Sequence, residues 1–137
     1  PEWPAMDKPW LKHYPEGVPA EVRVDRHPSL TALLDARLAQ HGARPACRFL
    51  GSVLSHARLD AAARTLAAWL QAQGLVRGDR VALMLPNLPQ YPMAVLAVLR
   101  AGGVVVNVNP LGSARELEQQ LRDSGAKAML AYEGYAA

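Results

Sequence analysis

The side chains best suited to chemistry are scattered along this chain, and no familiar catalytic arrangement gathers them. Three asparagines, Asn87, Asn107 and Asn109, stop or close apolar runs. In open parallel sheets ligands bind beyond the carboxyl ends of the strands, so these amides can face a ligand or a neighbouring domain. An asparagine beside a turn or a proline equally well satisfies its own backbone, and both readings stand at this point. The four histidines (His13, His27, His41, His56) show no HxxxH or HExxH spacing, so metal ligation is not expected. Ser52 and Ser55 lie in no nucleophile-elbow context, and Asp60, Asp79 and Asp123 suit caps, turns and helix surfaces. Cys47 is the single cysteine; it reads as a small core hydrophobe and fits a reducing compartment. GxGxxG and GxxxxGK[ST] are both missing, and Gly102-Gly103 follows a helix-length segment instead of opening one, which is the wrong geometry for phosphate. No residue is therefore assigned as catalytic, cofactor-binding or metal-binding.

Composition narrows the class. With 137 residues the chain suits one domain or part of a larger one. Half of its residues are hydrophobic and a fifth charged, enough for a packed core. The 12 arginines and 3 lysines are dispersed, net charge is only +3 and aromatics are few; a nucleic-acid surface would need a basic stripe or stacking platforms. No apolar run approaches the roughly 20 residues that span a bilayer, so a cytoplasmic protein is expected, at most peripheral to the inner membrane.

The elements follow from periodicity and punctuation. Residues 1–28 hold six prolines with Trp3 and Trp10, a density that predicts an extended arm anchored through Trp10, Leu11 and Tyr14. Pro1 to Ala5 precede a methionine, Met6, that can serve as an alternative start. Residues 29–137 read as an α/β unit. Ser29 caps a helix over 30–41 with Leu30, Leu33, Leu34 and Leu38 on one face. A small hairpin follows, 46–50 and 53–54, with Gly51-Ser52 as its turn. A helix from His56 or Ala57 to Gln73 buries Leu59, Ala63, Leu66, Ala67 and Leu70, with Trp69 packing beside that stripe on a neighbour. Val81-Ala82-Leu83-Met84-Leu85 is a strand buried on both faces. The helix over 89–100 ends at Gly102-Gly103, and the Val104–Val108 run forms the next strand. Ser113 and Glu116 form a capping box for a helix over 114–123 that buries Leu117 and Leu121, and Lys127 to Ala131 is a third strand. Glu133 to Ala137 begins a further segment. Strand and helix alternate with short connections, which predicts a parallel sheet of at least three strands flanked by helices.

Particular runs also resemble a known family. Lys8-Pro9-Trp10-Leu11, Gly78-Asp79-Arg80-Val81-Ala82 through Pro86-Asn87, Gln90-Tyr91-Pro92, Val105-Val106-Asn107-Val108-Asn109-Pro110 and Asp123-Ser124-Gly125-Ala126 resemble the start of bacterial long-chain fatty acid–CoA ligases, of the adenylate-forming (AMP-binding) superfamily. The one local departure is Ser55-His56, where that family commonly has Thr-Tyr. The resemblance implies an N-terminal subdomain of an enzyme that joins a fatty acid to coenzyme A with ATP and Mg2+, through an acyl-adenylate. It also implies that the phosphate loop, the adenine and ribose contacts and the catalytic lysine lie beyond residue 137, so the chain alone is expected to be inactive. Self-association through apolar surface left open by the remainder is expected as well. The alternative from another class is a self-contained α/β binding or interaction module.

Overall fold

The computed structural model describes residues 7–22 and 27–135. Pro1, Trp3 and Pro4 of the expected arm and the last two residues of the expected terminal segment lie outside those ranges. The order is α1 (Leu30–Gln40), β1 (Pro45–Phe49), β2 (Ser52–Ser55), α2 (His56–Ala72), β3 (Arg80–Met84), α3 (Gln90–Arg100), β4 (Val104–Asn107), α4 (Ala114–Ser124) and β5 (Ala128–Ala131). Short 3-10 turns occupy Pro9–His13 and Glu133–Tyr135.

Strand β3 is the centre. It pairs in parallel with β4 on one edge and with β5 on the other, so the expected three-stranded parallel sheet is present. Val81, Ala82, Leu83 and Met84 are all buried. Alternation sends Val81 and Leu83 to one face and Ala82 and Met84 to the other. The first pair packs with α1, α2 and α3; the second meets Val108 and the half-buried Leu117 and Leu121 of α4. The crossover from β3 to β4 and the one from β4 back past β3 to β5 run in opposite directions. Crossovers of one hand must then place their helices on opposite faces, as observed.

Local chemistry sets the ends of these elements. Ser29 and Ser55 accept the backbone N–H groups of Ala32 and Arg58, and Ser113 with Glu116 closes the expected capping box. Helix α3 carries Pro92 in its first turn, where an amide hydrogen has no helical partner to lose. Its far end is a Schellman motif: Gly102 N–H donates to Leu99 and Gly103 N–H to Val98. Gly102 has φ 86°, and a Cβ on Gly103 would lie 3.0 Å from Val98 Cγ1 and 3.2 Å from the Asp79 carbonyl. The first glycine is required by conformation, the second by space.

Four expectations need correction. The hairpin turns at Leu50-Gly51, one residue earlier than expected, with Phe49 opposite Ser52. Leu30 is 57% exposed at the first position of α1; Leu34 and Leu38 carry the contact. Trp69 is 52% exposed, lying roughly 100° around the helix from the centre of the buried stripe. Trp10 and Tyr14 are exposed too, and the arm makes a 3-10 turn that begins at Pro9, so it is neither wholly extended nor anchored by those two rings.

Three helices are tied by one guanidinium. Arg100 of α3 bonds to Asp35 of α1 and Asp60 of α2, its Nε lies 3.1 Å from Asp35 Oδ1 and its Nη1 3.2 Å from the Asp60 carbonyl. Burial alone would raise the Asp60 pKa; hydrogen bonds from Arg64 and Arg100 outweigh it and hold the carboxyl below its ordinary 3.8. Burial would likewise lower the Arg100 pKa, and its bonds to Asp35 and Asp60 raise it instead. A depressed folded pKa contributes stability above the unfolded value and loses it as pH falls through the folded one. Replacing Arg100 by Met should therefore cost roughly 2 kcal/mol, less than a fully buried pair because both aspartates keep solvent contact. In urea unfolding, Asp60→Asn should flatten the decline of stability below about pH 4; an unchanged acid slope would show that the cluster carries no such weight.

Candidate functional site

The doubly wound arrangement creates one crevice by topology. The chain leaves β3 toward α3 on one face and leaves β4 toward α4 on the other. Between the carboxyl ends of those two neighbouring strands the connections diverge, the place where open α/β sheets receive ligands. Asn107 closes β4 there and is held from both sides. Tyr91, in the first turn of α3, donates its hydroxyl to Asn107 Oδ1 at 2.8 Å. Gln120 of α4 donates its side-chain amide to the Asn107 carbonyl at 2.7 Å. The two cross-links bring together residues 16 and 13 positions apart.

The other asparagines diverge in role. Asn109 folds onto its own turn, its Oδ1 accepting the Leu111 N–H at 3.0 Å and its carbonyl the Gly112 N–H at 3.1 Å, which is the backbone-satisfying reading. Asn87 is exposed and lines a recess of about 280 Å3 with Leu88, Tyr91 and Pro92. Next to it, a larger apolar cleft of about 660 Å3 lies between the hairpin, α2 and the start of α3. Phe49, Leu54, Leu88 and Met93 form its walls, Tyr132 follows β5 at one end, and Arg58 is its one formally charged lining residue. Cys47 lines both recesses and is only partly buried, not the buried core thiol that composition suggests.

Glu116 lines a recess at this edge with Asn109 and Gln120, while the ion-paired clusters lie elsewhere. Asp79, at the amino end of β3, is buried, accepts the Val76 N–H at 2.9 Å and meets Lys127 Nζ at 2.6 Å. The Lys127 contact, helped by that N–H, holds its carboxyl below the ordinary range. So Asp79 is a turn residue, as its sequence position suggests, and Lys127 lies at the amino edge. Asp60 belongs to the Arg100 cluster and not to a simple helix surface. Asp123 accepts from Gln119. Ser52 is exposed at the hairpin and Ser55 caps α2. His41 and His56 come within 6.0 Å of one another, ring centre to ring centre, and His56 Nδ1 sits 2.9 Å from the Arg44 carbonyl. That contact places the hairpin's exit at Ser55-His56.

Among the described residues no three His, Cys, Asp or Glu side chains group so as to hold a metal ion. Gly102 and Gly103 sit at a helix carboxyl end against Arg77 and Val98, leaving no cradle of N–H groups for phosphate. Among the described residues neither of these features offers a place for Mg2+ or a nucleotide triphosphate. What the arrangement offers is a polar amide edge beside an apolar cleft.

Comparison with known proteins supplies what this geometry lacks. Residues 34–137 match the family model described as "AMP-binding enzyme". The chain is 48% identical over 132 residues to a long-chain-fatty-acid–CoA ligase of Salmonella typhimurium and 49% identical to that of Yersinia pestis, in both cases over 96% of this chain and 24% of the relative. A Bacillus subtilis ligase of the same description is 44% identical over 117 residues. The chain spans about a quarter of the length of these curated relatives. Among solved structures, the N-terminal subdomain of Klebsiella oxytoca NpsA in complex with 3-hydroxyanthranilyl-AMSN superposes with a TM-score of 0.72 at 26% identity, over 75% of this chain and 26% of that one. A benzoate CoA ligase from Burkholderia xenovorans LB400 shares the fold, with a TM-score of 0.73 over 77% of this chain and 22% of that one, at 24% identity. No helix among the described residues is long and apolar enough to cross a membrane.

The clasp on Asn107 is directly testable. Tyr91→Phe removes one hydrogen bond and should lower stability by about 0.5–1.5 kcal/mol. Because Tyr91 and Gln120 hold the same residue, Tyr91→Phe combined with Gln120→Ala should deviate from additivity in urea unfolding. A Tyr91→Phe variant as stable as the parent would remove the clasp from consideration.

Proposed function

Since the chain belongs to the AMP-binding enzyme family, we propose that it forms the N-terminal part of a long-chain fatty acid–CoA ligase. The observation that carries this reading is the spread of the likeness to such ligases along nearly the whole chain, from the proline-rich start through the sheet. In the proposed reaction a fatty acid carboxylate attacks the α-phosphorus of ATP and releases pyrophosphate. The thiol of coenzyme A then attacks the acyl carbonyl, and AMP leaves. Mg2+ would neutralise phosphate charge in the first step. The part of this chain is structural: its sheet supplies a rigid amide-bearing edge, and its apolar cleft borders that edge. Activity at the periphery of the inner membrane and self-association through exposed apolar surface belong to the same reading.

Acyl-adenylate formation requires a barrier reduction of at least about 8 kcal/mol, most of it from charge stabilisation on the transferring phosphate. The intact protein, given a long-chain fatty acid, ATP, Mg2+ and coenzyme A, should release pyrophosphate and form acyl-CoA, whereas the 137 residues alone should do neither. An intact protein that activates acetate or an amino acid in preference to long chains would overturn the substrate reading. Turnover by the 137 residues, free of longer protein, would place a site within them.

A further inference from the structure

We propose that the tip of the β1–β2 hairpin is a wedge that seats the intact protein on an anionic phospholipid surface; this rests on the peripheral membrane reading above and names the surface responsible. Two-residue hairpin loops of the favoured twist need positive φ at both positions, which selects asparagine, aspartate and glycine. Here Gly51 satisfies the second position, with φ 79°, but the first is Leu50 at φ 45°. A leucine is strained in that conformation, and although it lines the apolar cleft described above, Leu50 remains 88% exposed. Strain held at an exposed apolar residue points toward contact outside the fold.

The surroundings state what kind of contact. Val53 is also exposed and stands opposite Arg48, itself exposed, in the strand register, so a second aliphatic side chain and a cation share one face beside the tip. From residue 44 to 59 the sequence carries Arg44, Arg48 and Arg58 and not one aspartate or glutamate. An aliphatic tip with Arg48 beside it, and with Arg58 lining the same cleft as Leu50 and Val53, complements a bilayer, whose acyl boundary takes the two aliphatic side chains while its acidic headgroups meet the guanidinium groups. A polyanion such as nucleic acid would use the charge and leave the leucine wet.

The test is cosedimentation of the intact protein with vesicles of phosphatidylcholine containing about a quarter phosphatidylglycerol, against pure phosphatidylcholine. Binding to the anionic vesicles is expected, falling steeply toward about 0.5 M salt. Leu50→Asn, which suits the left-handed position, should weaken it about tenfold without lowering the melting temperature. Arg48→Gln with Arg58→Gln should weaken it by a similar factor or more, and Val53→Thr gives a second apolar deletion in a β-tolerant residue. If the parent and Leu50→Asn pellet equally, the wedge is wrong although membrane association stands, as would happen were another part of the intact protein to cover the tip. If the parent fails to pellet with anionic vesicles, the peripheral reading falls with the wedge.

Discussion

A strand paired on both edges exposes side chains to both faces of its sheet, and after Arg80 β3 has only apolar residues to put there. Val81 and Leu83 on one face and Ala82 and Met84 on the other are all out of solvent, so helices must cover both sides. That demand fixes the direction of the two crossovers. One must run outward from β3 to β4 and the next must return past β3 to β5, placing α3 and α4 on opposite faces. The crevice between the carboxyl ends of β3 and β4 is a by-product of the same demand. The position of the amide edge is therefore a consequence of how four consecutive apolar residues are hidden.

The two faces are secured unequally. On the α4 side the contact is thin: Leu117 and Leu121 are only half-buried against Ala82, Met84 and Val108. On the other side α2 and α3 pack closely, and α1 is added with a single fully buried side chain, Leu38. An element with so little apolar contact needs another hold, and Arg100 supplies it through Asp35 while also binding Asp60. Paired in this way the charges satisfy each other's desolvation; leaving one of them unpaired would cost more than the pair contributes.

What was legible in the sequence was local. The Ser113–Glu116 capping box, the glycine pair closing α3 and the apolar run of β3 each announce themselves within a few residues, because the physics that produces them acts over one helical turn or one strand. The Arg100 cluster joins residues 65 and 40 positions apart, and nothing about an isolated Asp35 or Asp60 marks it as a partner. The Tyr91–Asn107 bond was hidden for the same reason: the tyrosine is read as part of a helix start and the asparagine as a strand terminator. The hairpin turn slipped by one residue because Gly51-Ser52 is a good turn signal and Leu50 a poor one; only the Phe49–Ser52 pairing reveals the leucine at the bend. The likeness to fatty acid–CoA ligases, legible in runs such as Gly78-Asp79-Arg80-Val81-Ala82, agrees with the family match.

Within this chain the charged groups of the described residues serve chiefly packing and the amino edge of the sheet: Asp79 pairs with Lys127, and Arg100 with two aspartates. At the carboxyl edge, Asn107, Asn109, Tyr91 and Gln120 are neutral hydrogen-bonding groups that mostly bond to one another or to their own turns. Neutral amides position and orient, but they do not stabilise the charge of a pentavalent phosphorus as cations and preorganised N–H cradles do. On the proposed function, a sheet edge of this kind would be a wall against which charged groups from elsewhere in the intact protein are set. On the same proposal its rigidity, held by the two-sided burial of β3 and the clasp on Asn107, is what it would contribute to catalysis, since small displacements of positioning groups cost rate steeply.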